Sequence, residues 1–204
     1  TGKPAMPYRD IFFVPGTAGN TFRARNRMNT QDARYGGRML FSRSGECHTL
    51  YTVLGNAAAI KKLYQEHPEY FPLINGERKL DTVRANSAAQ TQLCLTNPGL
   101  RKLWVDTLRG HMKKDKEFAA VNGIQYPMFY AIDQNDCFDG FCSCPSCDAI
   151  VQREGSKAGL MLDFVNYVAK ELKDEVPESI FQMMAIHSTE PPPKHLTALP
   201  NVGI

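Results

Sequence analysis

Residues 131 to 150 read AIDQNDCFDGFCSCPSCDAI, a stretch that sets two kinds of chemistry side by side. Asp133 and Asp136 stand at the end of a β-favouring run. A carboxyl group held neutral there by partial desolvation can act as a general acid, while a second, ionised carboxylate can stabilise developing positive charge. The plainer role for either is to cap the loop or bond a backbone amide. Gln134 and Asn135 between them carry amides suited to paired contacts with vicinal hydroxyls. Cys137, Cys142, Cys144 and Cys147 supply four thiols, and a C-x-C-x-x-C motif plus one more thiol has enough ligands for a tetrahedral zinc. Such a closed site would be structural, fastening the loop beside the acids without activating water. Two disulfides and free thiols are the competing readings. Cys47 and Cys94 stand alone in the sequence.

Other residues offer contacts to a polar ligand. His48 begins one β-favouring run and His187 follows another; an imidazole can bond a hydroxyl or a carboxylate, although a lone histidine more often serves structure. Arg25 and Arg27 carry fork-shaped guanidinium groups that fit a ligand carboxylate, with a helix-surface role as the default. Glu190 precedes three consecutive prolines, Pro191 to Pro193, which stiffen the backbone into a candidate cleft wall.

The elements that must position these groups follow from periodicity and punctuation. "DIFFV" at 10 to 14 reads as a buried strand stopped by Pro15 and Gly16, and a short helix is expected around Arg23 to Met28. "HTLYTVL" at 48 to 54 alternates as a strand does. Ile60, Leu63 and Tyr64 share a helical face that stops at His67 and Pro68. Asn75 and Gly76 signal a hairpin, and "QLCLT" at 92 to 96 reads as a strand. Asn97 and Pro98 look like an N-cap and first helical residue, ahead of a stripe of Leu100, Leu103, Trp104 and Leu108. "MFYAI" at 128 to 132 is a strand leading into the cysteine-rich stretch. Met161, Phe164, Val165, Val168 and Leu172 then mark an amphipathic helix, and "SIFQMMAI" and "NVGI" mark two more strands.

Strand and helix taking turns imply βαβ units on a parallel sheet, the α/β class. Neither GxGxxG nor GxxxxGK[ST] occurs, which favours a (β/α)8 barrel over a nucleotide-binding open sheet. A closed barrel of that type needs about 250 residues, so a single barrel domain only partly present over 1–204 is expected. "LPNVGI" reads as the beginning of a further element, which predicts that the polypeptide continues past Ile204.

Composition narrows the function. With 204 residues, 43% apolar and 22% charged, the chain is long enough for a substantial core. Its 24 basic and 21 acidic residues give a net charge of +3, too balanced for a polyanion-binding protein, so no nucleic acid partner is expected. No apolar run of about 18 residues is present, and no membrane span is expected. The opening TGKPAMPYRD lacks the layout of a signal peptide, which reads as a cytosolic or trimmed chain.

"YRDIFFV" with "RARNRMN", "HTLYTVL", "HPEYFPLINGER", "QLCLTNP", "IDQNDC", "CSCPSC" and "LMLDFVNYVAKEL" follow one another from about Tyr8 to Ile204. In that order they resemble a large bacterial family of carbohydrate-locus proteins, a domain of unknown function whose barrel is similar to those of α-glucuronidases and β-N-acetylhexosaminidases. The resemblance implies a glycoside-hydrolase-like barrel, a carbohydrate substrate, further domains on either side, and export to the periplasm or cell surface. Members often carry an "AYQYT" type of sequence where this chain has "AIHSTEPPPK", so His187 is expected to stand in for a stacking aromatic. In the similar hexosaminidases the paired acids are adjacent, whereas two residues separate Asp133 from Asp136. In the similar α-glucuronidases the base carboxylates come from later strands, which predicts an inactive fragment. The expectation is thus a glycoside hydrolase with Asp136 as first acid and Asp133 as second. A noncatalytic glycan-binding barrel and a zinc-stabilised interaction domain are the alternatives.

Overall fold

Caps and turns decide the first half of the chain. The computed structural model describes residues 8–9, 19–80 and 91–204; the strand expected at 10 to 14 lies outside them. Helix α1 (Asn20–Arg25) ends ahead of Arg27, whose φ of 55° cannot continue a helix. The segment 38–41 forms parallel bridges, Arg38 to Gln125 and Phe41 to Phe129. Helix α2 (Thr49–Thr52) is a single turn. Helix α3 (Ala57–Glu66) starts at Asn56, whose side chain accepts the Ala59 N–H at 3.0 Å, and stops before His67 and Pro68. Asn75 and Gly76 both have positive φ, 52° and 81°, so strand β1 (Leu73–Ile74) folds back on β2 (Glu77–Arg78) through the two-residue turn that Asn-Gly favours.

The second half builds the core. Helix α4 (Pro98–Val121) is capped by Asn97, which accepts the Leu100 N–H at 3.0 Å, with Pro98 at the first helical position. Leu100, Trp104, Leu108 and Met112 form its buried face, and Leu103 is half-buried. Strand β3 (Phe129–Ala131) leads through the cysteine-rich loop to α5 (Pro145–Glu154) and α6 (Lys157–Leu172), then to β4 (Ile180–Gln182) and β5 (Val202–Gly203). Helix α6 is buried around most of its circumference, and its Phe164 meets Trp104 edge to face at 5.4 Å. Strands β3, β4 and β5 are parallel and adjacent in that order, with segment 38–41 on the far side of β3. Tyr130 and Phe181, paired in register and stacked at 5.9 Å, face the same core cluster as Leu100, Trp104 and Phe164. Among the described residues the sheet is open and forms no closed barrel. No helix among them is long and apolar enough to cross a membrane.

Two expected strands are something else. Thr49–Thr52 is helical because His48, at φ 52°, turns the chain out of extension, and the N–H groups of Thr49 and Leu50 both bond Asp133 O at 3.1 and 3.2 Å. Leu50 and Val53, both buried, sit at i and i+3, one face of a helical turn, whereas an alternating strand would point them to opposite sides. Residues 92–96 are in no ladder: Gln92 N–H bonds Gly140 O and Cys94 N–H bonds Tyr70 O, so its partners are a loop and the end of a helical turn. Conversely, segment 38–41 pairs with β3 without an advance sign of doing so.

Candidate functional site at the strand ends and the four-thiol cluster

Because segment 38–41, β3 and β4 are parallel, residues 42–48, 133–140 and 184–190 emerge at one edge of the sheet. Asp133 is fully buried there. Its Oδ1 accepts the Met184 N–H at 2.6 Å and its Oδ2 accepts from Gln182 Nε2 at 3.4 Å. Burial pushes its carboxyl up to about 6, against the opposing effect of those hydrogen bonds. Asp133 thus joins β3 to the end of β4 and offers no exposed acid. Gln134 is likewise engaged inside, accepting from Thr189 Oγ1 at 2.7 Å and donating to Ile186 O at 3.2 Å. Asn135, also fully buried, donates Nδ2 to Thr91 O at 2.7 Å. The vicinal-hydroxyl contacts expected of these two amides are replaced by bonds within the protein.

Asp136 is different. Its side chain is 59% exposed, and its Oδ1 lies 3.4 Å from His187 Nε2. The His187 ring is 4.4 Å from the ring of Phe138, which is 80% exposed. His187 and His48 both hold left-handed backbone, at φ 51° and 52°. Such conformations are strained for non-glycine residues and gather at functional sites. His48 Nδ1 bonds Gln134 O at 2.8 Å, which ties its ring to the same loop. Next to it Cys47 is exposed; burial, then Glu46, Asp133 and Asp136, raise its thiol above the usual range. Glu46 also lines a cleft of about 570 Å³ with Arg23, Asn29, Thr30, Gln31 and Phe41. Arg25 and Arg27 are exposed and do not line that cleft; Arg23 does.

The second site is a nest of thiols. Cys94, Cys142, Cys144 and Cys147 are buried, with sulfurs all within 4.8 Å of one another, a set that can hold a metal ion. Cys94 Sγ is 3.5 Å from Cys142, 3.7 Å from Cys144 and 4.0 Å from Cys147. No disulfide joins any of the six cysteines. Leu73 N–H donates to Cys142 Sγ at 3.2 Å, Cys144 N–H to the same sulfur at 3.4 Å, and Thr96 Oγ1 lies 3.1 Å from Cys147 Sγ. Hydrogen bonds from Cys142 and Cys147 hold the Cys94 thiol well below its ordinary value. Cys137, expected as the fourth ligand, is outside the nest: its sulfur accepts from Gln92 Nε2 at 3.0 Å and donates to Asp139 O at 3.0 Å. The fourth thiol is Cys94, brought over by segment 91–97.

The family described as "Domain of unknown function (DUF4838)" matches residues 1–204. The chain belongs to that family. No curated protein and no solved structure matches it. In this DUF4838 chain the exposed carboxylate, the two strained histidines and the exposed aromatic ring stand at one sheet edge, while the thiol nest holds the far end of the same loop. The first group can bond hydroxyls and cover an apolar sugar face; the second can bind a thiophilic cation. Phe138 and Cys94 escape a reading by spacing. The available signal for Phe138 is an apolar ring set between Cys137 and Asp139 in a polar loop.

Proposed function

We propose that this DUF4838 chain is a carbohydrate-active α/β module, part of a glycoside-hydrolase-like (β/α)8 barrel acting on a complex glycan that contains uronic acid or N-acetylhexosamine. The observation that carries the reading is the grouping of Asp136, His187 and Phe138 at the C-terminal edge of parallel strands, the edge where such sheets keep their sites. A pyranose ring has an apolar C–H face that suits the Phe138 ring and hydroxyls that suit a carboxylate and an imidazole. Strand order supports the barrel: segment 38–41, β3, β4 and β5 lie side by side in chain order, as in a singly wound barrel and without the reversal of a doubly wound sheet. In this reading Asp136 is the acid or substrate-orienting group, and the protein is exported, as the resemblance implies.

The burial of Asp133 supports a second reading, a noncatalytic glycan-binding barrel, since Asp136 then has no exposed partner at 133. Calorimetry of the full-length polypeptide with uronic-acid and N-acetylhexosamine oligosaccharides, alongside a glycoside screen, separates the two. Hydrolysis abolished by Asp136→Asn identifies the enzyme. Saturable binding without turnover, weakened at least tenfold in Phe138→Ala, identifies the binding module. Failure of both ligand classes to bind refutes the carbohydrate reading.

The four thiols are assigned in this proposal to a structural zinc. Bonds of about 2.3 Å to a tetrahedral ion set sulfurs roughly 3.8 Å apart, and the Cys94 distances of 3.5, 3.7 and 4.0 Å straddle that value. Four protein ligands leave no open position, so the ion fastens the loop and takes no part in bond cleavage. The N–H and O–H groups aimed at Cys142 and Cys147 are the outer partners such thiolates need.

A further inference from the structure

We propose that Gln92 is a positioning residue that transmits occupancy of the four-thiol site to the loop carrying Asp136 and Phe138, an inference that rests on the zinc and glycan readings above. Gln92 is fully buried two residues before the ligand Cys94. Its side chain closes a two-way bond with the backbone of Asn135: Oε1 accepts the Asn135 N–H at 2.8 Å and Nε2 donates to Asn135 O at 3.1 Å. The same Nε2 reaches Cys137 Sγ at 3.0 Å, on the other side of Asp136. The backbone adds to the clasp, with Gln92 N–H on Gly140 O at 2.8 Å and Asn135 Nδ2 on Thr91 O at 2.7 Å. Residues 91 and 92 thereby grip the loop at 135, 137 and 140, which brackets both Asp136 and Phe138.

The grip is only as firm as segment 91–94 itself, which no strand ladder holds. Besides Leu93, buried in the core with Leu95, its anchors are Tyr51 Oη, 3.1 Å from Thr91 Oγ1 and from Gln92 O, the Cys94 N–H bond to Tyr70 O, and the Cys94 sulfur in the thiol nest. An ion joining Cys94 to Cys142, Cys144 and Cys147 cross-links this segment to the far end of the loop it clasps. The loop is then tied at Asp133 by β4, in its middle by Gln92, and at Cys142 to Cys147 by the metal. Removing the metal frees Cys94, loosens the clasp, and lets the glycan-facing side chains between 136 and 138 wander.

The test uses the whole chain loaded with one equivalent of zinc and follows backbone hydrogen exchange in peptides spanning residues 133–141. Gln92→Met fills the same volume without donor or acceptor, and Gln92→Glu, the second variant, keeps an acceptor for the Asn135 N–H. Either should retain one zinc per chain yet speed exchange at 135–140 by roughly ten- to a hundredfold, the worth of one or two ordinary hydrogen bonds. Helices α4 and α6 should be unchanged. Stripping zinc from the unaltered chain should loosen the same peptides. Coupling of this kind is reciprocal, so zinc release to a chelator should quicken in Gln92→Met, a change that a merely structural residue would not produce. Unchanged exchange at 135–140 in both variants with zinc bound overturns the proposal and leaves the metal site standing. An unaltered chain that takes up no zinc defeats the zinc reading and the proposal together, and the metal content tells the two failures apart.

Discussion

Replacing Asp133 with asparagine should remove a loss of stability that the unaltered chain suffers as pH rises through one defined window. The carboxyl is fully buried, and burial moves it from 3.8 to about 6. At roughly 1.4 kcal/mol per pH unit, the folded chain favours the neutral form by about 3 kcal/mol relative to the unfolded one. Between about pH 4 and pH 6 the folded protein therefore carries a proton at this position that the unfolded chain has released. Binding more protons when folded means that stability falls as pH rises through that window, and that it is insensitive to this group above it. Asparagine is neutral throughout, keeps an oxygen for the Met184 N–H, and can turn its amide to suit Gln182. Denaturant unfolding at pH 4, 5, 6, 7 and 8 gives the difference between Asp133→Asn and the unaltered chain, in which groups remote from position 133 cancel. That difference should shift in favour of the variant by about 2 kcal/mol between pH 4 and pH 7, since the unfolded carboxyl is already more than half ionised at pH 4. A difference that stays level across the range refutes the placement of Asp133 as a buried anchor and restores it as a candidate exposed acid.

Two further outcomes follow from the same physics. Cys94→Ser should abolish stoichiometric zinc uptake, whereas Cys137→Ser should retain one zinc per chain; metal analysis after gel filtration decides between them, and the opposite pattern would return Cys137 to the ligand set. Glu154 accepts the N–H groups of His195 and Leu196, each at 2.9 Å, and pairs with Arg153, which with those bonds holds its carboxyl down to about 2. Its contribution is present above about pH 4.5 and is lost as pH falls through about 2, so a melting-temperature gap between Glu154→Gln and the unaltered chain at pH 6 should narrow by roughly half at pH 3 and close only below about pH 2.

What could be read from the sequence was local. Asn97 with Pro98 and Asn75 with Gly76 act on residues two or three positions away, so their cap and turn appear as expected. The runs at 48–54 and 92–96 are too short for period to separate a helical turn or an extended loop from a strand, and partners distant in sequence decided them: Asp133 for the first, Gly140 and Tyr70 for the second. Spacing gathered the thiols at 142, 144 and 147 but supplied the neighbour Cys137 as fourth, because nothing along the chain shows that Cys94 returns from 48 residues before Cys142. Asp136 and His187, singled out separately, do come together, while Gln134 and Asn135 turned inward to satisfy backbone groups that the sequence could not reveal.

The side-by-side arrangement of segment 38–41, β3, β4 and β5 in chain order has a consequence for biosynthesis. Among the described strands, each one leaving the ribosome meets the one made just before it as the open rim of the growing sheet, and none of them must wedge between two already joined. Assembly of these four segments can proceed vectorially, each addition extending the same sheet.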